Sequence, residues 1–292
     1  MSVDDSYADY GIPMLPQGLN KPFSTPADAA FQVPNFVYMN GGHSRPRGMP
    51  CVEMLWFDFN ILNPEAVPFT LEGRNLNPRY AALEIASLLG GMPVDAHQRE
   101  NAKGMAAYQN YGIQRGNYGV RLRNQLRDFI VKLMDDNSTR QACMTIFDGN
   151  RDLLDESDDI PCTLAVQGFI RDDLFYMKTT MRSNDAYLGL PYDLMQFCAL
   201  QSTLAQIMDV PCGFYRHSVG SMHLYAADLE KLSDIEPPGY EDTFGEQLWD
   251  FTEVADDPRD RLKYVIMFCQ AALYGSAMPP GTEFEEWLVA SL

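Results

Sequence analysis

One thiol in this sequence stands apart from the others. Most of the six cysteines lie inside apolar runs, as Cys198 and Cys269 do, where cysteine serves as a small core hydrophobe. Cys162 instead follows Pro161 and opens a segment that reads as a β-hairpin turning at Arg171–Asp173. Arg182 lies twenty residues further on, on the second strand. A guanidinium placed there can lower a thiol's pKa and favour the nucleophilic thiolate. Ser183 and Asp185 flank it, Asp193 heads a long apolar helix, and His223 and Tyr225 share a later strand. Arg47, Glu84, Tyr118 and Arg140 lie upstream. Arginine forks match phosphate geometry, and carboxyl and phenol groups can move protons. No two cysteines form a C-x-x-C pair, so no metal is expected.

The elements that must position these residues are partly legible. Residues 1–50 are rich in Pro, Gly, Asn and Ser and read as an arm or irregular lead-in. Residues 1–44 are assigned to that extension and 45–292 to one catalytic domain. Residues 51–62 read as a strand pair or one long, mostly buried strand. Asn77, Pro78 and Gly90 or Gly91 punctuate a helix that carries Glu84. Leu122, Leu126, Phe129, Ile130 and Leu133 recur at helical spacing, which predicts a single helix over 119–135. A strand is expected over 140–147, the hairpin next, a helix over 191–208 opened by Pro191, and strand character again from Gly213. Two or three helices finish the chain. Helices inserted among strands that pair antiparallel give an α+β fold, with a mixed or antiparallel sheet flanked by helices.

Composition narrows the classes. The chain has 292 residues, 46% of them hydrophobic, enough for a sizeable core. Its net charge of −18 repels polyphosphate, so no nucleic-acid-binding face is expected; a small anion needs only a few arginines in one pocket. There is no secretory signal and no apolar run of membrane-span length, so a cytoplasmic enzyme with reduced thiols is expected.

The stretch 160–225 resembles the thymidylate synthases. The family pattern is Pro-Cys, then Arg-Ser-x-Asp, then Leu-Gly-Leu-Pro-(Phe/Tyr)-Asn, a helix, and Gly-x-x-His-x-Tyr. Here these are Pro161-Cys162, Arg182 to Asp185, Leu188 to Asp193, and Gly220 to Tyr225. Arg47, Glu84, Tyr118-Gly119 and Thr139-Arg140 fall in order upstream. The resemblance covers about 45–230 and implies a thymidylate synthase-like fold whose sheet face meets a homodimer partner. It implies that Cys162 attacks C6 of a pyrimidine nucleotide and that C5 then captures the methylene of 5,10-methylenetetrahydrofolate. Arg47, Arg140, Arg182 and Ser183 would hold the 5′-phosphate, some of the arginines reaching across the dimer. Glu84 would steer protons and water, Tyr118 would help remove the C5 proton, and His223 and Tyr225 would hold the sugar hydroxyl. Asp185 and Gly189 would lie against the folate.

The departures sharpen the substrate. Thymidylate synthases place Asn where this chain has Asp193. An amide can donate to O4 of uracil, whereas a carboxylate accepts from the amino group of cytosine. Asp there resembles the deoxycytidylate hydroxymethylases. The family's tryptophans between the Glu helix and the Tyr-Gly motif are missing from 94–110, since the only tryptophans are Trp56, Trp249 and Trp287. A less shielded methylene would be trapped by water, giving a hydroxymethyl product. Thr163, Gln141 and Met181 replace His, Arg and Gln of the pattern around the phosphate grip. The resemblance thus implies a dCMP 5-hydroxymethylase making modified cytosine nucleotides, typically for phage DNA. The alternatives are a dCMP C5-methyltransferase, a CMP 5-hydroxymethylase and a nucleotide-binding protein without turnover.

Overall fold

The computed structural model describes residues 22–94, 116–154, 159–239, 247–254, 256–276 and 278–292. Helix α1 (Pro26–Asn40) opens the described chain. Strands β1 (Gly42–Ser44) and β2 (Cys51–Ile61) follow, with a short 3₁₀ segment at Pro46–Gly48 between them. Next come α2 (Pro78–Gly90), α3 (Tyr118–Leu122), α4 (Leu126–Asp135), β3 (Cys143–Thr145) and α5 (Gly149–Asp152). The second half holds β4 (Thr163–Arg171), β5 (Leu174–Met181), β6 (Asn184–Asp185), α6 (Leu190–Met208) and β7 (Cys212–Tyr225). A 3₁₀ stretch at Ala226–Asp234, then α7 (Pro258–Leu273) and α8 (Glu283–Ser291), complete it.

Among the described residues the strands form one mixed sheet in the order β1-β2-β7-β5-β4-β3, with β6 paired to β7. β2 runs antiparallel to β7 over its whole length, and β4 and β5 form the expected hairpin. The β5–β7 pair is parallel, a connection that needs a crossover. Helix α6 supplies it. Leu194, Phe197, Leu200, Leu204 and Ile207 are all buried, so this helix is core on nearly every side. Each such side chain contributes about 1.5–3 kcal/mol of apolar burial.

Three expectations need correction. The lead-in is not irregular over Pro26–Asn40. Thr25 and Asp28 form a capping box, Pro26 takes a first-turn position, and Ala27, Ala30, Val33 and Val37 are buried in the core. Pro34 inside the helix masks that signal. The helix expected over 119–135 breaks into α3 and α4. The Gln125 side chain donates to the carbonyls of Arg121 and Thr145 at 2.8 and 2.7 Å and accepts from the Thr145 amide, so it ties the break to β3. The strand expected over 140–147 is regular only from Cys143 to Thr145. No helix among the described residues is long and apolar enough to cross a membrane.

Candidate active site

The hairpin brings Cys162 and Arg182 together. Thr163 pairs with Met181 at its open end, and the Arg182 amide donates to the Cys162 carbonyl at 2.8 Å. The guanidinium donates from Nε to the carbonyl of Pro161 and from Nη2 to that of Ile160, both at 2.9 Å. On the other side, β7 fixes the Arg182 carbonyl through the Ser221 amide at 3.1 Å. A Cβ on Gly220 would come within 2.8 Å of that carbonyl, so the close approach requires glycine.

Cys162 is half-buried. Burial pushes its thiol up, Arg182 and Arg47 pull it down, and the carboxyls of Asp193 and Asp159 push it up again. Arg47, in the 3₁₀ segment between β1 and β2, therefore lies within electrostatic reach of the thiol although 115 residues precede Cys162 from there.

Glu84 comes from α2. In the run 81–90 Glu84 alone is partly accessible, and all the other residues are buried. Burial first, then the carboxyls of Asp193 and Asp159, raise its pKa to about 8. Tyr118 opens α3. Its hydroxyl accepts from the Thr163 amide at 3.3 Å, one residue from the thiol, and its ring stacks on Phe197 at 6.0 Å. Burial raises its pKa well above the ordinary phenol value, with Cys162, Asp193 and Glu84 as further causes. Gly119 sets α3 against α2, because a Cβ there would meet the Ser87 carbonyl at 1.9 Å.

Asp193 sits in the first turn of α6. Its Oδ2 accepts from Asn184 Nδ2 at 2.8 Å and its Oδ1 from Gln196 Nε2 at 2.9 Å. Burial raises its pKa to about 7, opposed by those two amide donors and reinforced by Asp185. Gly189, the N-cap of α6, leaves room for the Asn184–Asp193 bond, since a Cβ would lie 3.2 Å from Asn184 Nδ2.

Ser183 and His223 approach at 3.4 Å between Oγ and Nδ1, and the rings of His223 and Tyr225 meet edge-on at 5.0 Å. Asp185 pairs with His223 across β6 and β7. Its Oδ1 accepts from the amides of Tyr187 and Leu188, both at 2.8 Å, so this carboxylate also caps the turn before α6. Leu188 is exposed at the lip of that turn.

The structure thus links Cys162, Arg182, Arg47, Glu84, Tyr118 and Asp193 in one cluster, with Ser183, Asp185, Gly189, His223 and Tyr225 beside it. Arg140 is not brought in. It is exposed in the loop between α4 and β3, and among the described residues it makes no hydrogen bond or ion pair to the cluster. Residues 95–110 of the tryptophan-free stretch lie outside the described residues; Trp249 is buried and Trp56 exposed. Among the described residues no group of three His, Cys, Asp or Glu could hold a metal ion. Sequence reasoning missed Asn184, Gln196, His217 and Asp159. The spacing of Gln196, three residues after Asp193 on a helix, was the one signal available for them.

Residues 96–235 match the thymidylate synthase family. A deoxyuridylate hydroxymethyltransferase of Bacillus phage SP01 is 26% identical over 83% of this chain and 69% of its own length. Thymidylate synthase 1 of Bacillus spizizenii and the thymidylate synthase of Bacillus phage phi3T are each 27% identical over 50% of this chain. In both cases 52% of the relative is covered, so the chain spans about half the length of those synthases. The matched stretch carries the hairpin, the crossover helix and β7, which together hold Cys162, Arg182 and Asp193 in register. The match to the thymidylate synthase family thus falls on residues 96–235, the part of the chain that carries the thiol, Arg182 and Asp193.

Proposed function

We infer that this chain is a dCMP 5-hydroxymethylase. The observation that carries the reading is Asp193, a carboxyl held by an amide N–H on each oxygen within electrostatic reach of Cys162. Both oxygens keep a lone pair for the base, and the edge that supplies a donor at position 4 is cytosine. Once Cys162 has attacked C6, N3 gains basicity, and a proton shared with Asp193 completes the pairing.

Each residue then has a task. Phosphate binding releases Arg182 from the Pro161 and Ile160 carbonyls to a stronger, charge-assisted partner. Ser183 and Arg47 add to that grip, and Arg140 enters from the partner of a homodimer. His223 and Tyr225 hold the sugar hydroxyl. Asp185 and Gly189, beside the exposed Leu188, face the 5,10-methylenetetrahydrofolate co-substrate. Tyr118, a neutral phenol, helps remove the C5 proton by orienting the water that takes it as the folate amine leaves, and Glu84 positions the water that adds its hydroxyl to the methylene on C5. The Cys162–C6 bond then breaks and the thiolate is restored. Tetrahydrofolate leaves unoxidised.

A second reading is favoured by two observations. The Bacillus phage SP01 relative is a deoxyuridylate hydroxymethyltransferase. An Asp193 held near pKa 7 also carries a proton in part of the population at neutral pH, and a neutral acid can donate to O4 of uracil. One comparison separates them: CMP, dCMP, UMP and dUMP as substrates, with product mass. A hydroxymethyl product from dCMP supports the leading reading. A clear preference for dUMP supports the second, and a methyl product with dihydrofolate removes hydroxymethylation altogether. Absence of a covalent adduct at Cys162 with 5-fluoro-dCMP and methylenetetrahydrofolate would leave only nucleotide binding.

A further inference from the structure

Asp193 ends a buried chain of hydrogen bonds that the mechanism above leaves unused. The Tyr215 hydroxyl lies 2.9 Å from His217 Nδ1, His217 Nε2 lies 2.9 Å from Asn184 Oδ1, and Asn184 Nδ2 donates to Asp193 Oδ2 at 2.8 Å. Tyr215 and His217 are fully buried and Asn184 nearly so. Burial lowers the His217 pKa to about 3, so the ring is neutral, with one nitrogen donating and the other accepting. Because Asn184 Nδ2 donates to Asp193, its carbonyl is the group that faces His217 Nε2. The ring hydrogen therefore sits on Nε2, and Nδ1 is left to accept from the Tyr215 hydroxyl. The reverse arrangement would set a carbonyl against Asp193, which is acceptable only if Asp193 carries a proton. Gln196 holds the other oxygen while its own buried carbonyl has no hydrogen-bond partner, so its donation to Asp193 is what fixes it.

We propose that Asn184, His217 and Tyr215 are positioning residues that set base choice through Asp193, by holding it as a paired acceptor. The proposal rests on the reading above, in which the pyrimidine edge lies against Asp193. The groups that face Asp193 come from five directions: Asn184 and Asp185 from β6, Gln196 from α6, Glu84 from α2, Tyr118 from α3, and Cys162 ahead of β4; Tyr215 lies behind on β7. Glu84 and Asp185 favour a protonated Asp193, and the relay opposes them. Without the relay Asn184 is free to turn its carbonyl to Asp193. A neutral acid results, and it pairs with uracil as readily as with cytosine.

The test is equilibrium binding of dCMP and of dUMP, by calorimetry, to the full chain and to His217→Phe, His217→Gln and Tyr215→Phe. Phe keeps the ring that packs on Phe59 at 5.2 Å. Gln restores a donor toward Asn184 and an acceptor toward Tyr215. The preference for dCMP should fall about tenfold in His217→Phe, the weight of one hydrogen bond, and return in His217→Gln. Tyr215→Phe should move it in the same direction, which keeps the test open if His217→Phe does not fold. Unchanged preference in folded His217→Phe or Tyr215→Phe overturns the proposal, as does an equal loss in His217→Gln. Wild-type preference for dUMP refutes the cytosine reading alone, because the shift between variants still decides the relay. Failure to bind either nucleotide overturns both.

Discussion

Arg182 donates from Nε to the carbonyl of Pro161 at 2.9 Å, so the cation that most favours the thiolate also ties down the backbone that presents it. The same residue therefore tunes Cys162 electrostatically and holds it in place. Replacing Arg182 by Met removes the largest of the influences that lower the thiol pKa. At pH 8 the alkylation of Cys162 by iodoacetamide, followed by peptide mass, should slow, because losing the guanidinium moves the thiol further up and leaves less thiolate. An unchanged rate would show that Arg182 does not tune the thiol.

Glu84 makes stability depend on pH. Its pKa rises from 4.5 in the open chain to about 8 in the folded protein, because burial and neighbouring carboxyls disfavour the charge. Its contribution to stability is fully present below pH 4.5 and is lost as pH rises to about 8. Glu84→Gln should therefore be more stable than wild type at pH 8 by on the order of 2 kcal/mol, after allowance for solvent at this partly accessible carboxyl, and should lose that advantage near pH 4.5. Urea unfolding at a series of pH values measures the gap, and a gap that stays constant contradicts the assignment.

Asp193→Asn converts an acceptor pair into an amide that can donate to O4. Relative kcat/KM should shift toward dUMP by about 10²-fold or more, on the scale typical of sites that read a polar edge. Assays with both nucleotides under one set of conditions would show it. The variant loses the amide bonds as now arranged, so a shift confined to kcat, with the base ratio intact, would contradict the reading.

Gly119 and Gly42 make a matched pair. A Cβ on Gly119 would meet the Ser87 carbonyl at 1.9 Å, whereas one on Gly42 meets nothing within 4 Å. Gly119→Ala should cost on the order of 3 kcal/mol by forcing α3 off α2, and it should displace Tyr118. Gly42→Ala should stay within about 0.5 kcal/mol of wild type. Thermal melts of the two variants decide this.

The sequence made some of this arrangement legible for definite reasons. The twenty-residue spacing of Cys162 and Arg182 is the contour of a hairpin, and β4 and β5 realise it. Asn77 and Pro78 announced the start of the helix that carries Glu84. Other features were hidden. Helix α1 disguises itself with an internal proline. Gln125 stops a helix through side-chain bonds to a strand twenty residues away, which no local pattern contains. His217 reads as one more residue of a strand until the fold sets it behind Asn184. Arg140 matched the family pattern in order, yet among the described residues of one chain it is exposed and makes no hydrogen bond or ion pair to the cluster.

The parallel pairing of β5 with β7 has a further consequence. The chain must travel the length of α6 to make that pairing, and it leaves β5 at Met181 and enters α6 at Leu190. Arg182, Ser183, Asn184, Asp185, Gly189 and Asp193 all lie on that single departure or in the first turn of α6, while Cys162 lies just ahead of β4. One short stretch of chain therefore carries two duties at once: on the reading proposed above it meets the base through Asp193, and through Arg182 it anchors the thiol, so exchanging it would change base recognition and nucleophile together.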